Sequence, residues 1–89
     1  MVSVIKRDGK IVDFDKQKII IAISKAMKNG SGTYKPLIAE KIANEIYDEN
    51  VDRKDIAIYE IENLVYDKLI SKNQILTAKA YEGYRSIRR

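Results

Sequence analysis

With 89 residues, 45% of them apolar and 34% charged, the chain can build one packed core and is too apolar to be disordered by composition. Its formal net charge is +4, and neither cysteine nor histidine occurs. Disulfides, Cys/His zinc sites and thiol or imidazole catalysis are thereby excluded, which favours a binding domain over a complete enzyme, carboxylate-only hydrolases being the exception.

The stretch "VSVIKRDGKIVDF" reads as a β-hairpin over residues 2–14. Val2, Val4, Ile11, Val12 and Phe14 are strand formers, and Asp8-Gly9 is a strong turn signal. A tight turn there would put Arg7 and Lys10 at its flanks and Lys6 just inside. A first helix, about 15–28, follows from Asp15 as its cap, the periodic Ile19, Ile20, Ile23, Ala26 and Met27, and the stop Asn29-Gly30. "SGTYK" is a connector. Pro36 opens a second helix, about 36–49, with Leu37, Ile38, Ile42, Ala43, Ile46 and Tyr47 as its inward stripe.

"ENVDRKDI" breaks the pattern, with Asp52 and Asp55 as turn or capping candidates. Ile58, Ile61, Leu64, Val65 and Leu69 define a third helix, about 57–70. Asn73 would cap a fourth, about 73–88, whose apolar positions are Ile75, Leu76, Ala80, Tyr84 and Ile87. The expected architecture is α+β: a hairpin followed by four helices around a shared core. No run reaches the length of a membrane span, and the opening residues lack the apolar centre of a signal peptide, so the cytosol is the expected compartment.

The charge is uneven. Residues 1–28 hold seven cations against Asp8, Asp13 and Asp15, and "YRSIRR" at the end is basic again. Lys16 and Lys18 follow the Asp15 cap, where the helix dipole disfavours positive charge by a few tenths to about 1 kcal/mol. A placement against local preference points to a ligand. A phosphate near the helix start would meet backbone N–H groups and Lys18, with Lys6 and Arg7 closing from the hairpin. Three charge-assisted contacts of about 1.5–3 kcal/mol each approach the roughly 8 kcal/mol of micromolar binding. The alternative is that these cations are solvated and merely balance the nearby aspartates.

Other motifs are weaker. GxxxxGK[ST] and GxGxxG are absent, and "KNGSG" follows a helix instead of opening one. Tyr47, Tyr81 and Tyr84 fit a core edge better than a stacking platform, and the acidic group Glu45, Asp48 and Glu49 fits a solvated helix end better than a metal site.

Over nearly its whole length the chain resembles the ATP-cone, the nucleotide-sensing domain of ribonucleotide reductases. The resemblance lies in "VIKRDGKIVDFDKQKIIIAISKA", in "IYEIENLVYDKLI" and in "AKAYEGYRSIRR". It implies a small β-sheet cap over a four-helix bundle and a non-catalytic, allosteric domain that binds ATP or dATP with Mg2+. The nucleotide would control reductase activity through oligomerisation, with a reductase subunit or a second copy as partner. By position Lys6, Arg7 and Lys18 match the phosphate contacts, and Val4, Ile5 and Ile19 border the base. Val12 and Asp15 fall near base and sugar, and Ile58 and Glu62 occupy third-helix positions that are Thr and His in some relatives. Val12 has no side-chain hydrogen bond to offer, and Glu62 would repel phosphate unless turned toward ribose or metal.

The lack of cysteine rules out the radical-bearing catalytic body, so the resemblance implies a regulatory piece of a longer reductase, the anaerobic class being favoured, or a free-standing cone. The family domain also occurs in a zinc-ribbon repressor of reductase genes. The competing reading is a basic helical module that binds nucleic acid or regulates transcription, with steeply salt-dependent duplex binding and indifference to ATP.

Overall fold

The computed structural model describes residues 2–87, and the side chains of residues 2–83. Strands β1 (Ser3–Ile5) and β2 (Ile11–Asp13) form the hairpin; helices α1 (Lys16–Asn29) and α2 (Pro36–Asn50) follow. Strand β3 (Asp55–Ala57) then leads directly into α3 (Ile58–Ser71), and α4 (Ile75–Ile87) ends the fold. The sheet order is β2-β1-β3, with β3 parallel to β1. Helix α1 packs on α2 and α4, and α3 on the same two, so the helices close a four-membered bundle beneath a three-stranded sheet. The fold is α+β.

The hairpin turn is wider than Asp8-Gly9 alone implies. Gly9 N–H donates to the Lys6 carbonyl at 2.9 Å and Lys6 N–H to the Lys10 carbonyl at 2.8 Å, which leaves Arg7, Asp8 and Gly9 in the loop. Gly9 sits at φ +85°, the left-handed position that lets a three-residue turn rejoin the ladder. Lys6 and Lys10, not Arg7 and Lys10, therefore flank the turn, and Arg7 is its first loop residue.

Strand β3 is the main addition to the expected elements. Asp55 begins that strand and does not cap α3; Ala57 holds the cap position, with no side-chain hydrogen bond. Asn73 is also not the cap of α4. It lies at φ +62°, its N–H donates to the Ile70 carbonyl at 3.0 Å, and Gln74 N–H reaches the Leu69 carbonyl at 2.8 Å. That pair of bonds is a Schellman closure of α3, with Asn73 in the left-handed position usually given to glycine. Asp15 does cap α1: its carboxylate accepts from Gln17 N–H at 2.9 Å.

The core comprises Val2, Val4 and Ile56 from the sheet, with Ile19, Ile23, Ala26, Met27, Ala39, Ile42, Ala43, Ile46, Ile61, Val65, Leu69, Ala78 and Tyr81 from the helices. On α2 the expected stripe of Ile38, Ile42, Ala43, Ile46 and Tyr47 faces the core and only its first position, Leu37, does not, whereas α4 is rotated from its expected facing. On α2, Leu37 is 79% exposed and Ala39 is buried; on α4, Ile75 and Leu76 are exposed while Thr77, Ala78 and Tyr81 face inward. Close approach explains α4: the Gly30 Cα leaves room for the Leu76 backbone, so small residues line that seam. The Tyr84 and Ile87 side chains lie outside the described residues. Lys68 on α3 and Lys72 just beyond its end clamp Glu45 and Glu49 on α2 at 2.9–3.4 Å.

Candidate functional site

The parallel register Ile5↔Ala57 makes β1 and β3 end side by side. The hairpin turn and the first turns of α3 therefore emerge at one end of the sheet, although they are some fifty residues apart in sequence. Helix α1, launched from Asp15, runs below them. Between these elements lies a cavity of about 460 Å³, within the roughly 300–1,000 Å³ usual for small-ligand sites.

Its cations are Lys6 and Arg7 from the turn and Lys18 from the first turn of α1. Phe14, Ile19, Ala22, Ile58, Ile61 and Tyr81 supply apolar walls, and Asp8, Asp15 and Glu62 complete the lining. Seven of the nine residues expected at the site thus border one space: Lys6, Arg7, Asp15, Lys18, Ile19, Ile58 and Glu62. Val4 and Ile5 do not. Val4 is buried in the core, and both lie in the central strand β1, in register with Val12 and Ile56 and with Ile11 and Ala57. Val12 lies instead in a neighbouring shallow depression with Lys16 and Tyr47. Phe14, Ala22, Ile61 and Tyr81 are the wall residues that sequence reasoning missed, since each reads equally well as core.

The two lysines after the Asp15 cap have separate surroundings. Lys16 Nζ lies 5.0 Å from the Tyr47 ring centroid, a cation–π contact that offsets its place in the dipole. Lys18 faces the cavity. Amides at the helix start contribute less than their position suggests. Gln17 N–H is taken by the Asp15 carboxylate, and Lys18 N–H by the Asp15 carbonyl at 3.2 Å. Anion binding here would rest on side-chain cations more than on the helix terminus.

Arg7 is engaged. Its Nη2 donates to both carboxylate oxygens of Glu62, at 2.9 and 2.8 Å, and its guanidinium carbon lies 5.1 Å from the Tyr59 ring centroid. The hydrogen bond to Glu62 raises the Arg7 pKa above its ordinary value, against the desolvation that opposes it. Among the described residues no group of three or more carboxylates is placed to hold a metal ion. No helix among them is long and apolar enough to cross a membrane.

An ATP cone domain model matches residues 2–89. The chain belongs to the ATP-cone family. That makes it a nucleotide-binding regulatory domain, distinct from a reductase's catalytic body. Its sequence is 38% identical to the vitamin B12-dependent ribonucleoside-diphosphate reductase of Thermoplasma acidophilum, over 98% of this chain and 12% of that protein. It is 36% identical to the anaerobic ribonucleoside-triphosphate reductase of Haemophilus influenzae, over 93% of this chain and 12% of the relative. A third relative, the transcriptional repressor NrdR of Caldicellulosiruptor bescii, is 32% identical over 98% of this chain and 57% of its own length. The chain thus spans a small part of the length of these reductases and somewhat over half that of the repressor.

Proposed function

We propose that the cavity under the hairpin turn holds ATP or dATP, and that the bound nucleotide controls the assembly of a ribonucleotide reductase or of copies of this domain. One observation carries the reading: three cations from two separate elements, Lys6, Arg7 and Lys18, border a single apolar-walled space. The polyphosphate lies against those cations at the rim, and the flat base against Phe14, Ile19 and Ile58. Asp15, at the start of α1, would accept from the ribose hydroxyls.

The chemistry of the lining suits a magnesium ion that arrives with the triphosphate. Such an ion keeps phosphate oxygens and water as most of its ligands and needs one or two carboxylates at most, here Asp8 or Asp15. Its role would be to neutralise charge on the phosphates.

Nucleotide state reaches the rest of the molecule through differential affinity: whichever nucleotide binds one arrangement of hairpin and helices more tightly shifts the population toward it. Calorimetric titration of ATP and dATP tests the site directly. Lys18→Ala should lose about tenfold or more in affinity with little change in thermal stability, because Lys18 is exposed and joins no ion pair among the described residues. Unchanged affinity would overturn the assignment.

The match over more than half of a repressor supports a second setting, transcriptional regulation. It predicts duplex binding that weakens steeply with salt. Salt-dependent binding with indifference to ATP would favour the nucleic-acid reading over the nucleotide one.

A further inference from the structure

Of the three cations at the cavity, one already has an anion. The Glu62 side chain is 8% exposed, and both its oxygens accept from a single Arg7 nitrogen at 2.8 and 2.9 Å. We propose that Glu62 is a built-in competitor for the ligand's phosphates: it holds Arg7 against α3 in the nucleotide-free domain, and the nucleotide must take Arg7 away from it. This rests on the nucleotide-binding reading and adds what sets the affinity there.

Charge and geometry both support competition. A phosphate drawn to Arg7 in its present position would lie beside the Glu62 carboxylate, and two like charges in a partly desolvated space repel strongly. Carboxylate and phosphate also ask for the same donors. Nη2 is spent on Glu62 and the guanidinium face packs on Tyr59, so a second anion would meet only Nη1 and Nε, beside a carboxylate that repels it. Lys6 and Lys18 have no such rival among the ion pairs of the described residues. The ligand would meet them first and Arg7 last.

Only molecules whose Arg7 has let go of Glu62 offer all three cations. The apparent dissociation constant is raised by the inverse of that fraction. The exchange is also a movement, because Arg7 sits in the hairpin turn and Glu62 in the second turn of α3. Separating them unties the turn from the helix.

The test titrates ATP into the full chain, as wild type and as Glu62→Gln, and follows thermal unfolding of both without nucleotide. Competition predicts opposite signs: Glu62→Gln binds about tenfold tighter, yet melts at a lower temperature when nucleotide-free. The Arg7 side-chain N–H signals, slow to exchange in the nucleotide-free wild type, should become fast in the variant. Should Glu62→Gln fold poorly, Glu62→Asp shortens the carboxylate and should move affinity in the same direction by less. Equal or weaker binding by the variants, with wild-type binding intact, overturns the competition alone and leaves the nucleotide site standing. Tighter binding with no loss of nucleotide-free stability overturns it too, by assigning the gain to charge removal. A wild-type protein that takes up neither ATP nor dATP overturns both readings.

Discussion

Replacing Gly30 with alanine should destabilise the bundle through a contact that a substitution table would call mild. Gly30 closes α1, its N–H donating to the Ala26 carbonyl at 2.8 Å, and its φ of −88° is open to any residue. Backbone strain is therefore not the issue, and the shorter list of unfolded conformations available to alanine would favour it by about 0.4–1 kcal/mol. Space decides otherwise. A Cβ at this position would stand 2.5 Å from the Leu76 carbonyl oxygen, 2.8 Å from its carbon and 2.9 Å from the Ala26 carbonyl oxygen. All three are backbone atoms and the two nearest belong to α4, so relieving them requires α1 and α4 to part. Overpacking of this kind costs about 1–3 kcal/mol, which leaves a net loss of about 1–2 kcal/mol. In a domain of this size that lowers Tm by roughly 5–15 °C. Scanning calorimetry reads the shift, and urea unfolding at constant slope would confirm that it reflects stability. Gly30 lies at the end of α1 away from Asp15 and Lys18, so nucleotide affinity measured well below Tm should be retained. An unchanged or raised Tm would refute the claim that the α1–α4 seam is set by the glycine.

Other expectations follow from the same packing. Thr77 is 1% exposed, and its hydroxyl has no hydrogen-bond partner among the described residues; Thr77→Val, which keeps the branched shape, should stabilise by about 1 kcal/mol, and a lower Tm would show the hydroxyl to be satisfied. Burial opposes ionisation of Glu45, yet Lys72 and Lys68 together bring its pKa below the ordinary 4.5, so its contribution is complete above that value and is lost as pH falls through the lower folded value. For Lys68, desolvation lowers the pKa but Glu49 and Glu45 outweigh it; the folded value is above 10.5, and its contribution is lost only as pH rises past that value. Glu45→Gln should therefore cost a few tenths to about 1 kcal/mol at pH 7 and flatten the acid limb of the stability curve below pH 4.5; an unaltered acid limb would remove the α2–α3 clamp from the explanation.

What the sequence made legible depended on how local each signal was. The Asp8-Gly9 turn, the Asp15 cap and the stripe Ile19, Ile23, Ala26 and Met27 are set by neighbours within one helical turn, and they stand in the structure. Strand β3 was hidden because three residues with one buried side chain, Ile56, make no alternating pattern. Its pairing partner lies fifty residues upstream. Asn73 read as an N-cap because asparagine suits both a cap and a left-handed helix end, and only the bonds to Ile70 and Leu69 separate the two. On α4 large apolar residues pointed to the wrong face. Helix–helix distance, fixed by Gly30, selected Thr77 and Ala78 for the interior and left Leu76 exposed.

The site divided in the same way. Lys6, Arg7 and Lys18 stood out as cations beside a turn and a cap, where local preference offers no reason for them. The Arg7–Glu62 pair could not be seen, because it depends on the parallel register that brings β1 and β3 to the same end. A buried glutamate on an otherwise apolar helix face was the available hint. Val4 and Ile5, which the resemblance puts on the strand bordering the base, lie in β1 and do not line the cavity, Val4 being part of the core.

Chemical-shift mapping of an ATP titration bears most directly on the location of the nucleotide. Perturbed backbone and side-chain signals should gather at Lys6–Gly9, at Asp15–Ala22 and at Ile58–Glu62, with Lys18 and Arg7 moving furthest. Changes centred instead on the opposite end of the bundle, around Leu37 and Leu76, would contradict a phosphate site beneath the hairpin turn.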